Sequence, residues 1–185
     1  MNRKTVKQPI NAVEQVAIKD FIRMNLYPAI EMLKNNGHPY FAFTLIAAGI
    51  EFLGACMDDK TTKEGFFEPS RSKKRFNDAI SKLYSLQKYD YPNNKLYTEL
   101  RCGMCHVLFP KTTLKLSSGY GKCDENILYI ENFYCDFKSA CEELLNSSTL
   151  WGLENGSNHI CWTVSKVPNA DPTTVVTKND KVAVE

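Results

Sequence analysis

The chain has 185 residues, of which 43% are apolar and 24% charged, and its formal net charge at pH 7 is +2. This length suits one domain with a hydrophobic core of its own, and the composition excludes a disordered or collagen-like chain. The near-neutral charge excludes a strong overall attraction to nucleic acid but leaves room for a local basic patch.

Location is predicted from the amino end, the apolar runs and the cysteines. The basic first ten residues are followed by no apolar stretch or small-residue cleavage site, so no signal peptide is predicted. The most apolar run, residues 40–57, contains Glu51 and falls short of an uncharged membrane span. The seven cysteines lack the spacing of a disulfide scaffold and are expected to be reduced thiols. We therefore expect a cytoplasmic protein without a membrane contact.

Hydrophobic periodicity predicts four or five helices. Pro28 should break or kink the first helix, and Gly37 should end it. The apolar positions of this helix recur at helical spacing: Val13, Ala17, Phe21, Met24, Ile30 and Leu33. The second helix, about residues 41–57, is apolar on nearly every face, which predicts a central place in the core. The polar residues 58–70 are predicted to form a loop.

The third helix combines an apolar face with a basic first turn. Its apolar residues are Phe76, Ala79, Ile80 and Leu83, and its basic residues are Arg71, Lys73, Lys74 and Arg75. Four cations at a helix amino end oppose the helix dipole. Either a bound anion, such as an RNA phosphate, offsets this cost, or the basic end is simply solvated. We therefore keep these four residues as candidate RNA-binding residues.

The fourth helix is predicted over residues 95–108, where Pro110 stops it. Two short strand-like runs follow, residues 113–116 and 127–130, and the glycine-containing linker between them favours a small β-hairpin. The fifth and last helix, residues 132–145, comes directly after this hairpin and should bury Phe133, Phe137, Ala140 and Leu144.

Composition changes beyond Asn146, where Ser, Asn, Thr, Gly and Pro become frequent. We therefore predict that residues 1–147 form the helical domain and that residues 148–185 form a C-terminal tail. The tail is expected to be extended, or docked in part through Trp151, Ile160 and Trp162.

The fourth helix contains the string Cys102-Gly-Met-Cys105-His106, which matches the pattern for covalent haem attachment. That attachment belongs to exported proteins, and no export signal is visible. Structural zinc needs four ligands, and the remaining cysteines and His159 supply no second close pair. A thioredoxin-like redox pair would open a helix after a strand rather than lie in mid-helix. We predict no metal and no cofactor.

Arg101 and His106 carry the second pattern in this helix. At about 100° per residue they lie about 140° apart and flank the side opposite the apolar stripe of Leu96, Leu100, Met104 and Val107. Between them lie three small residues, Thr98, Cys102 and Cys105. Such a face is suited to packing against another helix, and a two-fold axis would bring two Arg–His pairs into one cleft.

The chemistry open to this pair is definite. Arginine can stabilise charge on a phosphate, and histidine can act as a general acid or base near neutral pH. Together they suffice for metal-independent RNA cleavage through attack by the ribose 2′-hydroxyl. In the alternative interpretation, Arg101 pairs with a carboxylate such as Glu99 or Asp136, and His106 has only a structural role.

Residues 96–106 resemble the Arg-x4–6-His motif helix of the HEPN superfamily, and the resemblance extends over about residues 11–145. The apolar segment 48–54 and the passage from strand to last helix at 128–138 agree with it. The resemblance implies an all-α, up-and-down bundle that forms homodimers, with Arg101 and His106 meeting at the dimer cleft.

Many members of this superfamily are ribonucleases of toxin–antitoxin, defence or RNA-processing systems, so the resemblance implies RNA and an antitoxin or regulatory protein as partners. Other members act as non-catalytic binding or dimerisation modules. This chain departs from the active members at Cys102, because they commonly carry Asn, Asp or His directly after the arginine. A thiol is a weak hydrogen-bonding group in comparison.

Overall fold

The computed structural model describes residues 12–61, 69–107, 109–111 and 113–166. A short strand precedes the first helix. Strand β1 spans Ala12–Ala17, so the prediction that Val13 and Ala17 begin a helix is wrong. Residues four apart lie on one face of a helix, but they also share a face of a strand, and the spacing does not distinguish the two.

Helix α1 follows as three consecutive segments. Ile18–Asp20 and Tyr27–Asn35 are α-helical, and Phe21–Leu26 between them is π-helical. The helix continues through Pro28, because this proline lies in the first turn of the last segment, where a wider π turn precedes it. The π segment also rotates the buried face, so that Met24 is 72% exposed rather than packed in the core.

Helix α2, Pro39–Met57, is the centre of the core, as predicted. It packs against α1 and against the third and last helices, and it buries a row of large side chains: Phe43, Ile46, Ile50 and Leu53. Among the described residues it is the one helix with the length and apolar composition of a membrane span. Most of its apolar stretch is buried inside the protein, and a central core helix meets the same criterion.

Helix α3, Ser72–Lys82, lies closely against α2 and buries Phe76, Ala79 and Ile80 as predicted. Gly54 permits this approach, because a Cβ atom there would overlap the backbone carbonyl of Arg75. Two 3₁₀ turns, Tyr84–Tyr89 and Pro92–Asn94, then lead to the fourth helix.

Helix α4 again begins in a π-helical segment, Leu96–Arg101, and continues as an α-helix over Cys102–Val107. Its predicted core stripe is confirmed at Leu96, Leu100 and Met104, which are all buried. The side chain of Val107 and the predicted helix end at residue 108 lie outside the described residues.

The two strand-like runs pair, but they do not form a hairpin. Strands β2, Lys115–Ser117, and β3, Ile127–Tyr129, run parallel, with Lys115 opposite Ile127. A three-residue strand is only about 10 Å long, so the linker of residues 118–126 suffices to bring the chain back to the start of β2. Gly119, at φ +84°, turns the chain at the beginning of this return.

The last helix, α5, spans Ile130–Asn146 and buries the predicted residues Phe133, Phe137, Ala140 and Leu144. A 3₁₀ turn, Gly156–Asn158, leads into strand β4, Ile160–Lys166, which pairs with β1 in antiparallel orientation. Of the predicted docking residues, Trp151 packs partly buried on the core, whereas Ile160 is largely exposed. The side chain of Trp162 and residues 167–185 of the predicted tail lie outside the described residues.

Candidate functional site at helices α2 and α4

Arg101 projects from α4 towards α2, where it pairs with Glu51. Its Nε donates to the Glu51 Oε2 over 2.6 Å, and both side chains are partly buried. The partner is therefore neither Glu99, which accepts from the Thr113 hydroxyl, nor Asp136, which accepts from the Tyr89 hydroxyl.

The environment keeps Arg101 charged. Partial burial works against its charged form, but the hydrogen bond and the charge of Glu51 outweigh that effect and raise its pKa. The guanidinium carbon also lies 5.9 Å from the centre of the Tyr97 ring, within the range of a cation–π contact. Tyr97 in turn is joined to α3 by a 3.2 Å hydrogen bond between its hydroxyl and that of Ser72. The guanidinium is therefore oriented by groups on α2 and α4.

His106 lies in the last turn of α4 and is exposed. It remains about 140° around the helix from Arg101, and among the described residues no hydrogen bond links the two side chains. Of the three small residues between them, Cys105 is exposed, whereas Thr98 and Cys102 are half-buried. Although the residue is exposed, neighbouring atoms partly desolvate the Cys105 thiol and raise its pKa, and Arg101 acts in the opposite direction.

One side of α4 is covered by its own chain. After the helix ends, the Lys111 N–H donates to the Glu99 carbonyl over 3.1 Å, and the Phe109 carbonyl lies directly against Gly103. Any side chain at position 103 would collide with this returning segment. The side that carries Arg101 and Cys105 is not covered in this way.

A row of apolar side chains on α2 borders the uncovered side. Phe41, Leu45, Ala48 and Phe52 recur every three or four residues, and each is exposed or half-buried. We call these four residues the α2 stripe. Phe41 alone is 51% exposed. The central helix of the core therefore leaves one apolar face partly open to solvent.

Two hollows lie along the stripe. The first has a volume of about 340 Å³ and is bounded almost entirely by carbon atoms of five residues: Tyr40, Phe41, Thr44, Met104 and Phe109. The second, of about 200 Å³, is formed by Ala48, Phe52 and Ala55 beside the Glu51–Arg101 pair. The second hollow is smaller than typical small-molecule sites, which favours a packing surface over an enclosed pocket.

Three of the four basic residues predicted to bind RNA at the start of α3 form ion pairs with carboxylates. Arg75 is 1% exposed, and its Nε lies 3.0 Å from the Asp58 carboxylate. Arg71 pairs with the same carboxylate at 2.7 Å. Burial opposes ionisation of Asp58, but its hydrogen bonds from the two arginines dominate and hold its pKa well below the usual range.

The guanidinium groups of Arg71 and Arg75 therefore neutralise a buried carboxylate, and their binding to RNA stays a prediction. Of the other two candidates, Lys73 is exposed and Lys74 pairs with Asp78 one helical turn away.

The cysteines are also candidate ligands for a metal ion. The six that the structure describes are all thiols: Cys56, Cys102, Cys105, Cys123, Cys135 and Cys141. Within the described residues, no three His, Cys, Asp or Glu side chains are grouped so as to hold a metal ion. Cys102, Cys105 and His106 thus meet no further ligand in this part of the chain.

The sequence analysis did not predict the ion pairs of two carboxylates, Glu51 and Asp58, although the sequence contains a signal for each. Glu51 is the only charged residue in an otherwise apolar helix, and a lone charge at a core helix requires a cationic partner. Asp58 directly follows the same helix and precedes the cluster of cations in α3.

Comparison of the chain with models of protein families, with curated proteins and with solved structures gives no match.

Proposed function

We propose that this chain is a homodimeric helical module of the HEPN type, in which an up-and-down bundle uses the α2 stripe and the small-residue face of α4 to bind a second copy. The observation that carries the proposal is the α2 stripe itself. Phe41 and Ala48 are exposed and Leu45 and Phe52 are half-buried. A row of apolar side chains with this much exposed surface on the central helix is unfavourable in water, and contiguous apolar patches mark interaction surfaces.

The shape of this surface suits a two-fold axis. Ala48 is exposed in the middle of the stripe, so the backbones of two α2 helices can approach closely there. Phe41 lies toward one end, beside the 340 Å³ hollow that it shares with Phe109. In a symmetric pair, the Phe41 ring of one copy can fill a hollow of the other, and aromatic anchors in pockets dominate binding at many interfaces.

The ion pair between Arg101 and Glu51 favours a non-catalytic protein-binding module over a ribonuclease. The Arg101 Nε already donates to Glu51 over 2.6 Å, so a phosphate would have to compete with a carboxylate for the positive charge of the guanidinium. Cys102 supplies no strong hydrogen-bonding group at the next position. A non-catalytic cytoplasmic module that binds an antitoxin or another regulatory protein fits both features.

The experiment is analytical ultracentrifugation of the wild-type chain and two variants between about 1 and 100 μM, a range set by common affinities of specific dimers. Ala48→Glu puts two carboxylates at the centre of the proposed interface. Met32→Glu is the control, because Met32 is a largely exposed apolar residue on α1 outside the α2 stripe. We expect dimers for the wild type and Met32→Glu, and monomers of unchanged helicity for Ala48→Glu. A monomeric wild type, or a dimeric Ala48→Glu variant, would refute the proposal.

Metal-independent RNA cleavage is the second candidate function. It is favoured by the position of Arg101 and His106 on the margins of one face, with the exposed Cys105 between them. In this reaction His106 removes the proton from a ribose 2′-hydroxyl, and the 2′-oxygen forms a bond to the adjacent phosphorus. The bond from phosphorus to the 5′-oxygen breaks, and that oxygen takes up a proton from His106 of the second copy. Arg101 stabilises the charge on the phosphate oxygens.

The cleavage test uses RNA in the presence of EDTA with the wild type, Arg101→Ala and His106→Ala. Cleavage should be lost in both variants. Glu51→Gln provides a sharper control, because it removes the charge that competes for Arg101 and should strengthen RNA binding. No cleavage by the wild type, or equal cleavage by all the variants, would exclude Arg101 and His106 as catalytic residues while leaving the dimer proposal intact.

A further inference from the structure

A cleft of about 490 Å³, separate from the two hollows along the α2 stripe, lies at the amino half of α5. The 3₁₀ turn Tyr84–Tyr89 and the loop of residues 118–126 meet the helix there. Its volume is within the range of small-molecule sites. None of the residues that line it belongs to the α2 stripe or to the face of α4.

Asn132 and Asp136 lie one turn apart on the same face of α5, and both line this cleft. The Gly121 N–H donates to the Asn132 Oδ1 over 2.9 Å, which fixes the orientation of the amide. Among the described residues no acceptor is recorded for the Asn132 Nδ2 group. The amide therefore has N–H donors available to a ligand.

Asp136 supplies a complementary acceptor. The Tyr89 hydroxyl donates to its Oδ2 over 2.6 Å, and the Lys88 Nζ lies 2.7 Å from the same atom. Both contacts are to Oδ2, so the other carboxylate oxygen, Oδ1, retains lone pairs for a further N–H donor. The two bonds also hold the carboxylate in place before any ligand arrives.

Tyr91 adds aromatic surface to the same cleft. Its hydroxyl is buried, and among the described residues it has no hydrogen-bond partner. The ring itself is half-buried and lines the cleft, so part of the aromatic surface is open to stacking.

The charges around the cleft select against an anionic ligand. Two lysines, Lys88 and Lys122, face three carboxylates, those of Asp124, Glu125 and Asp136. The lining thus has a slight excess of negative charge, which disfavours a phosphate-bearing molecule relative to an uncharged molecule of the same shape.

We infer that this cleft binds a neutral nucleobase or nucleoside. The edge of a base presents an N–H donor beside an acceptor atom, which matches Asp136 and the Asn132 amide respectively. Bases also stack on tyrosine rings in single-stranded recognition. This inference stands on a different surface from the proposed dimer interface and does not depend on it.

The experiment titrates the full chain with guanosine, adenosine, cytidine and uridine, each up to 1 mM, and with guanosine 5′-monophosphate, by isothermal titration calorimetry. The decisive variant is Asn132→Asp, because it keeps an acceptor for the Gly121 N–H but replaces the free amide donor by a second carboxylate oxygen. The matched control is Asn158→Asp, since Asn158 is exposed and pairs with Lys19 away from the cleft. Far-ultraviolet circular dichroism checks that both variants remain folded.

We expect at least one nucleoside to bind, to bind at least tenfold more weakly to Asn132→Asp, and to bind unchanged to Asn158→Asp. The monophosphate should bind no more tightly than guanosine. Absence of binding by all four nucleosides, equal binding to Asn132→Asp, or a tighter monophosphate complex would overturn the inference.

Discussion

Replacing Asp58 by asparagine should destabilise the protein strongly, because one buried carboxylate neutralises two arginines. The side chains of Asp58 and Arg75 are only 3% and 2% exposed, so Asp58→Asn removes a carboxylate charge that lies directly against a buried guanidinium. Removing one partner of a buried ion pair costs about 3–5 kcal/mol. Since small domains are stable by roughly 5–15 kcal/mol, this loss would be a large share of the free energy of unfolding.

Urea unfolding followed by circular dichroism at 222 nm measures this loss. Asp78→Asn is the matched control, because Asp78 pairs with Lys74 and Lys82 on an exposed face of α3 and should contribute less than about 1 kcal/mol. The double variant Asp58→Asn/Arg75→Met should recover part of the loss, since it removes the buried charge as well. If Asp58→Asn is as stable as Asp78→Asn, the buried pair does not carry the energy assigned to it.

The same carboxylate predicts how stability depends on pH. The pKa of Asp58 is lower in the folded chain than in the unfolded chain, so its ionisation stabilises the fold at pH values above about 4, the unfolded pKa. This contribution is lost as the pH falls below 4 towards the folded pKa. Unfolding free energies measured from pH 7 down to pH 3 should therefore fall more steeply for the wild type than for Asp58→Asn.

Two substitutions and one labelling experiment test the packing. Gly103→Ala should destabilise by about 1–3 kcal/mol in urea unfolding, although alanine favours helices, because its Cβ would overlap the Phe109 carbonyl; a stabilised variant would contradict that contact. Phe133→Ala should cost about 3–5 kcal/mol in the same assay, because the ring is fully buried, and a loss below 1 kcal/mol would contradict this burial. An aromatic disulfide reagent should modify the exposed Cys105 in the native protein, but Cys141 only after unfolding, because burial both encloses its thiol and raises its pKa. Mass spectrometry of the labelled peptides distinguishes the two thiols.

The helices were predictable where one face is buried over several turns. Phe76, Ala79 and Ile80 in α3, and Phe133 and Phe137 in α5, repeat at helical spacing and are buried. In α1 the same reasoning misplaced Met24, because a π-helical segment inserts an extra residue into the turn and shifts the buried face. Apolar spacing cannot reveal such an insertion in advance.

The candidate site was predictable in its residues but not in its pairing. The helical wheel correctly put Arg101 and His106 outside the core stripe of α4, because that geometry depends only on residues within one helix. The partner of Arg101 depends instead on which helix lies alongside, and Glu51 is distant in sequence. The parallel pairing of β2 and β3 was not predicted for a similar reason, because local turn residues do not determine strand direction.

The pairing of β1 with β4 determines how the protein should respond to mechanical force. Ala12 lies opposite Lys166, so the two outer ends of these strands are at the same end of the antiparallel ladder. A pulling force applied at those two points would load the hydrogen bonds one after another, as in a zipper, rather than all together. We therefore expect the ladder to open at low force and to expose the helices to the load before any of them begins to unwind.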